Sequence, residues 1–262
     1  MILFFHEIRR NRLSLVIWTA AISFLLALCV FIYPEMKGQM SEMTDMFADM
    51  GSLTSAFGMD ELNFGEFMGY FGLECGELLG LGGVIFAALL GISALAKEEK
   101  DATAEFLLTH PVSRVKITLY KLLAVVTQIF ILNTVVACVT FLSVAVVGEE
   151  ADTGTMLMLV LAYFLLQVEI GCITFGISAF MRRGGVGIGL GIGIMTYFIN
   201  IVANLTEELK PLKYLTPFSY AEGSYIVNNG TLEWKYMIVG AAATVLCLAL
   251  GFIKYDRKDI VS

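Results

Sequence analysis

The sequence predicts an all-α membrane protein built as one domain, 1–262, with six transmembrane helices, and three observations predict it. Hydrophobic side chains make up 58% of the 262 residues. Counting the 25 glycines and leaving out the 10 tyrosines raises this to about 64%, against roughly 45–50% for soluble domains. Charged residues are 16%, where about 25% is usual. Apolar runs long enough to cross a bilayer recur at 13–33, 73–96, 117–147, 156–181, 186–205 and 236–253, and the mean hydropathy is +0.79. The same composition, with only 4 prolines, excludes disordered and collagen-like chains. A net charge of −7 excludes a nucleic-acid partner, which needs a basic face to displace counterions.

The first run follows Arg9, Arg10 and Arg12. It is longer than a signal-peptide core and bulky Leu28 precedes Cys29, so it is expected to stay as a helix. Lys and Arg in short loops mark the cytoplasmic side. Thirteen of the seventeen basic residues fall in one alternating set of segments: Arg9 to Arg12, Lys97 to Lys121, Arg182 with Arg183, and Lys254 to Lys258. Only Lys37, Lys210, Lys213 and Lys235 fall in the other, so both termini are expected in the cytoplasm. The outer loops then gather acidic residues such as Glu42, Asp45, Glu149, Asp152 and Glu222. Their charge is either a funnel for a cationic ligand or a solvated face that merely lacks Lys and Arg.

Beyond the first span, Met36, Met40, Met43, Phe47 and Met50 recur at helical spacing opposite Glu42, Asp45 and Asp49. This amphipathic stretch suits packing or an interface, with Cu(I) binding by thioethers as the alternative. Along the second helix, Gly65, Gly69, Gly72, Gly76, Gly80, Gly83, Ala87, Gly91 and Ala94 form a small-residue ridge with a mean spacing of about 3.6. It faces either another helix of the chain or a second protomer. Gly185, Gly189 and Gly193, and separately Gly187 and Gly191, run along the fifth helix and read as packing positions. Carboxylates at membrane depth are the pointers to a pathway, because lone charges are costly there. Glu74, Glu77 and Glu169 are the candidates. Glu169 lies midway along its span and either meets substrate or bonds Gln128 or Asn133 of the third helix. The five cysteines read as small hydrophobes, with no disulfide framework or metal-ligand spacing. The two histidines and the serines form no nucleophile-and-base pattern, and no enzyme site or bound cofactor is expected in this chain.

The most informative stretch lies between the second and third spans, from Lys97 to Arg114. Asp101 and Glu105 suit the start of a short helix, Ala102 to Leu108 are good helix formers, and Pro111 stops them. A short amphipathic helix on the cytoplasmic surface follows, with Phe106, Leu107 and Leu108 ready to enter a groove on a soluble partner. This segment resembles the intracellular signature of the ABC-2 type permease family, E-K-E-x-G-T-x-E-x-L-L-x-x-P-V-S-R followed by a basic residue. Glu98 or Glu99, Lys100, Thr103, Glu105, Leu107, Leu108, Pro111, Val112, Ser113, Arg114 and Lys121 match, while Ala102 stands in place of the usual Gly. The basic start Met1 to Arg12 resembles the family's amphipathic elbow helix. Pro217, Phe218 and Tyr220 before the last span resemble its outer gate.

The resemblance implies the membrane subunit of an ATP-binding-cassette exporter in a cell membrane, read as bacterial plasma membrane. Glu98 to Arg114 would be the element coupled to two copies of a cytoplasmic ATPase. No G-x-x-x-x-G-K-[ST] phosphate loop occurs in the chain, so ATP and Mg would belong to that partner. Six helices are half the family's full set, which implies a second permease protomer, either this chain or a paralogue. The cargo is expected to be hydrophobic or amphipathic: a peptide, a lipid-linked molecule or a drug. Two other classes stay open: an ATP-independent secondary transporter or channel using Glu74, Glu77 and Glu169, and a peptide-sensing or immunity partner that binds through the outer acidic segment.

Overall fold

The computed structural model describes residues 2–97, 113–181 and 185–258. Helices are α1 (Ile2–Asp49), α2 (Ser52–Ser55), α3 (Phe67–Cys75), α4 (Gly82–Ser93), α5 (Arg114–Val147), α6 (Thr153–Ser178), α7 (Val186–Leu205), α8 (Gly223–Asn229) and α9 (Trp234–Asp256). A π-helical turn, Gly76–Leu81, joins α3 to α4, and 3-10 turns occupy Met59–Glu61, Glu207–Leu215 and Pro217–Ala221. No strand occurs among the described residues. Among the described residues six helical stretches are long and apolar enough to cross a membrane: Leu3–Met40, Phe67–Ser93, Arg114–Val147, Thr153–Ser178, Val186–Leu205 and Trp234–Asp256.

The basic start expected as an amphipathic elbow helix is helical from Ile2 and continuous with the first span. Met1 itself is outside the described residues, and from Ile2 the helix runs unbroken through Arg12, the first span, Pro34 and the Met-bearing stretch as far as Asp49. No Gly or Pro lies between Ile2 and Arg12, so no strong breaker ends the helix before the apolar run begins.

Helix ends carry their own signals. Ser113 caps α5, its Oγ accepting from the Lys116 N–H at 3.4 Å. Gly148 closes the other end of α5 with φ 77°, where a side chain would be strained, and its N–H reaches the Val144 carbonyl. Asp152 caps α6 and accepts from the Gly154 and Thr155 N–H groups at 3.2 and 3.1 Å. The Thr155 hydroxyl, then these backbone donors, hold its carboxyl below the ordinary carboxylate range.

α6 is the centre of the bundle and packs against α4, α5 and α9, while α1 lies along α5 and α7 along α4. From Gly76 onward the glycine ridge faces α6 of the same chain, whereas Gly72 meets Val227 and Gly223 of α8. A Cβ at Gly76 or Gly80 would sit 3.0 Å from the Tyr163 ring or hydroxyl, one at Gly83 would fall on the Gln167 amide, and one at Gly91 on the Gly171 carbonyl. The ridge therefore lets α4 approach α6 closely, which in lipid is the main source of helix association. The two glycine sets of α7 separate in the same way. Gly185, Gly189 and Gly193 meet Ile92, Ala88 and Val84, whereas nothing lies within 4 Å of a Cβ at Gly187 or Gly191. α9 is the least covered span, with 6% of its apolar window buried.

Candidate functional site

Polar side chains inside the spans are costly in hydrocarbon and must find partners, so their pairing defines the candidate site. Glu77 sits on the π turn, where the wider i to i+5 winding displaces it from the face a continuous α-helix would give. The Tyr197 hydroxyl of α7 donates to its carboxylate, 2.7 and 2.8 Å from the two oxygens. Glu74, one turn earlier in α3, faces α1 and accepts from the Cys29 thiol at 3.5 Å.

Glu169 is buried on α6, about 24 Å from the Thr153 end at roughly 1.5 Å per residue. Its Oε2 accepts from the Tyr220 hydroxyl at 3.0 Å. The expected contact with Gln128 or Asn133 does not form. Gln128 donates to the Ala124 carbonyl of its own helix, and the Asn133 amide donates to the Ile129 carbonyl and to Gln167 Oε1, the latter at 2.6 Å. Gln167 passes the link on, its Nε2 donating to the Leu79 carbonyl in the π turn at 2.9 Å. The three carboxylates thus face three different neighbours, α1, α7 and the segment before α9, and do not line one continuous row.

The segment with Pro217, Phe218 and Tyr220 dips between the spans. Thr216 donates to the Thr196 carbonyl of α7 at 2.7 Å, about 14 Å below the Leu205 end at ~1.5 Å per residue. Ser219 donates to Asn200 Oδ1 at 3.1 Å, and Pro217 to Ala221 are all buried. Pro217 at the start of this 3-10 turn has no N–H to leave unpaired, and Thr216 caps the turn by accepting from the Phe218 N–H. Lys213 and the Asn204 amide both reach the Glu222 carboxylate, at 2.9 and 2.6 Å. The inserted segment is therefore stitched to α7 along its length.

At the end of the bundle that carries the termini, Lys121 is buried and bonds Glu7 at 3.0 Å and the Ala94 carbonyl at 2.8 Å, joining α1, α5 and the end of the second span. Arg114 reaches the carbonyls of Lys258 at 2.6 Å, Asp256 at 3.1 Å and Tyr255 at 3.5 Å, placing a cation at the negative end of α9. Lys258 in turn donates to the Met181 carbonyl at 2.6 Å. Of the signature residues, Ser113, Arg114 and Lys121 are thus placed. Glu98, Glu99, Lys100, Thr103, Glu105, Phe106, Leu107, Leu108 and Pro111 lie outside the described residues.

Tyr197, Tyr163 and Gln167 escape sequence reasoning as site residues, because each lies in an apolar run where it reads as an ordinary span residue. Gln167, two positions before Glu169, is the one with a legible signal: an amide at membrane depth needs partners for both of its ends.

The six helices among the described residues that are long and apolar enough to cross a membrane make this a multi-pass membrane protein. The family model described as ABC-2 family transporter protein matches residues 1–260, and the chain belongs to that family. It is a membrane transport component, and membership implies an ATPase partner. No curated protein matches the sequence.

Proposed function

We propose that this chain is the permease subunit of an ATP-binding-cassette exporter, forming the translocation path and driven by a separate cytoplasmic ATPase through the segment Glu98 to Arg114. In this reading two ATPase copies bind ATP and Mg, two permease protomers complete the path, and both termini lie in the cytoplasm. Nucleotide-driven closure pushes on the short segment and shifts the spans attached to it between two arrangements. The observation that carries the reading is the setting of the signature's last two residues. Ser113 caps the start of α5 and Arg114 grips the end of α9, so a force arriving between 98 and 112 meets two spans at once.

A hydrophobic or amphipathic cargo, whether peptide, lipid-linked molecule or drug, suits the bundle. The groove between α5 and α6, about 740 Å³, is walled mainly by side chains such as Phe130, Phe141, Leu157 and Phe164. The buried Pro217, Phe218 and Tyr220 segment serves as outer gate, and Glu74, Glu77 and Glu169 border the path. A secondary transporter is the second reading, supported by three span carboxylates that have no Lys or Arg partner among the described residues.

The test uses the permease co-expressed with a P-loop ATPase and reconstituted in lipid. Replacing Phe106, Leu107 and Leu108 by Ser, together with Glu98, Glu99 and Glu105 by Ala, should abolish cargo-stimulated ATP hydrolysis while membrane insertion stays intact. Full stimulation in that variant refutes the coupling assignment, and cargo movement without any ATPase favours the second reading.

A further inference from the structure

A cavity of about 60 Å³ lies between the π turn, α6, α7 and the inserted segment. Glu77, Tyr163, Tyr197, Asn200, Glu222 and Ser224 are among the residues lining it. Two of its hydroxyls, Tyr163 Oη and Ser224 Oγ, are buried without any hydrogen-bond partner, in residues only 1% and 3% exposed. Unsatisfied buried polar atoms cost enough that native structures rarely keep them, so a pair on one cavity points to an occupant.

The surrounding backbone is shaped to leave these oxygens bare. A Cβ at Gly76 would stand 3.0 Å from Tyr163 Oη, one at Gly223 3.2 Å from it, and one at Gly58 2.6 Å from Ser224 Oγ. Gly58 also has φ +66°, a conformation that other residues adopt only under strain. The remaining polar wall is acceptor-rich. A carboxylate offers about four lone-pair sites, and the single proton of Tyr197 shared across Glu77 leaves most of them open. Glu222 is already matched by Lys213 and Asn204. Glu77 has no cationic partner among the described residues, although a charge inside a span calls for one.

We propose that this cavity binds a small monovalent cation, an alkali ion or the ammonium group of an amine, with Glu77 as counter-charge and Tyr163 Oη and Ser224 Oγ as neutral oxygen ligands. The three N–H donors of a primary ammonium match one carboxylate and two hydroxyls. The volume holds one such group or an alkali ion with a few waters, not a whole organic cargo. The site lies in the half of the bundle away from the termini and makes no use of the segment Glu98 to Arg114. It stands or falls apart from ATPase coupling.

The experiment takes the full chain in nanodiscs of zwitterionic lipid, without ATPase, in a choline background. Saturable binding of radiolabelled sodium and of radiolabelled methylammonium is measured separately. At least one should bind at about one site per chain; sodium alone assigns an alkali site, methylammonium alone an ammonium site. Glu77→Gln should weaken that binding more than tenfold and Tyr163→Phe about tenfold, while Glu149→Gln on the outer surface leaves it unchanged. Absence of saturable binding of both probes to the folded chain overturns the proposal, because water then suffices to fill the cavity. Full-strength binding to folded Glu77→Gln overturns it equally. Should Glu77→Gln fail to fold, Tyr163→Phe and Ser224→Ala decide, since unchanged affinity in both refutes the ligand set.

Discussion

Tyr220 and Glu169 meet across 51 positions of sequence, and that single bond ties the inserted segment to the centre of α6. Gly240 of α9 lies on the other side of the carboxylate, where a Cβ would collide with both oxygens. Tyr220→Phe removes the donor and leaves a buried carboxylate short of a partner, so it should lower stability by about 1–3 kcal/mol, read from unfolding in detergent. Among glycines the expected contrast is sharper. Gly91→Leu drives a side chain into the Gly171 carbonyl and the Phe175 N–H, backbone that cannot move aside, whereas Gly187→Leu enters open space. The first should cost about 2 kcal/mol or more and the second almost nothing, compared by thermal unfolding in the same detergent. The sequence makes Glu169 visible as a carboxylate inside an apolar run, but its partner is hidden. Gln128 and Asn133 are near by helix count, yet one turns to its own backbone and the other is taken by Gln167.

At the scale of elements, hydropathy shows where the spans lie but not how they are wound. The ridge of small residues has a period of about 3.6, which describes a continuous α-helix, while the structure widens Gly76–Leu81 into a π turn. The turn is met by a tertiary contact. The Leu79 carbonyl accepts from the Gly82 N–H at the end of the turn and also from Gln167 of α6. Gln167→Leu strips that donor and leaves the Asn133 amide with the Ile129 carbonyl but without its acceptor on α6, so a loss of about 2 kcal/mol is expected, and Gly76–Leu81 should then exchange its amide protons faster. At the start of α6 the expectation is one of pH. The Asp152 carboxyl lies below the ordinary range in the folded chain, so its cap contributes fully above the unfolded value and is lost as pH falls through the folded one. Asp152→Ala should therefore melt earlier than the parent at pH 7, with the gap closing progressively below roughly pH 3.9. The inserted 3-10 turns were the least legible elements. From sequence Phe218 and Tyr220 read as a re-entrant gate or a surface loop, and the bonds from Thr216 and Ser219 to α7 reveal their depth.

For the molecule as a whole, the end carrying the termini is held by ionic contacts between distant parts of the chain. Lys121 and Glu7 are 1% and 8% exposed at their side chains. Lys121→Met leaves the carboxylate buried without this cation and should destabilise by about 3 kcal/mol. The double variant with Glu7→Gln should recover part of that loss in a double-mutant cycle. Arg114→Ala releases the carbonyl end of α9; cargo-stimulated ATP hydrolysis should fall while the ATPase still co-purifies, and unchanged stimulation would count against the lever arrangement. Lys121 and Arg114 are legible in the sequence only as positive-inside residues and as signature matches. Their partners lie 114 and more than 140 positions away, at distances that no local pattern encodes.

α9 crosses α6 where Gly251 and Gly176 let the two backbones touch, with no side chain between them. That crossing lies about 9 Å from the Arg257 end of α9 and about 26 Å from the Trp234 end, at roughly 1.5 Å per residue. Were α9 to tilt about this glycine contact, its Trp234 end would travel nearly three times as far as its Arg257 end, and the contact of Gly240 with Glu169 on the long arm would have to give way.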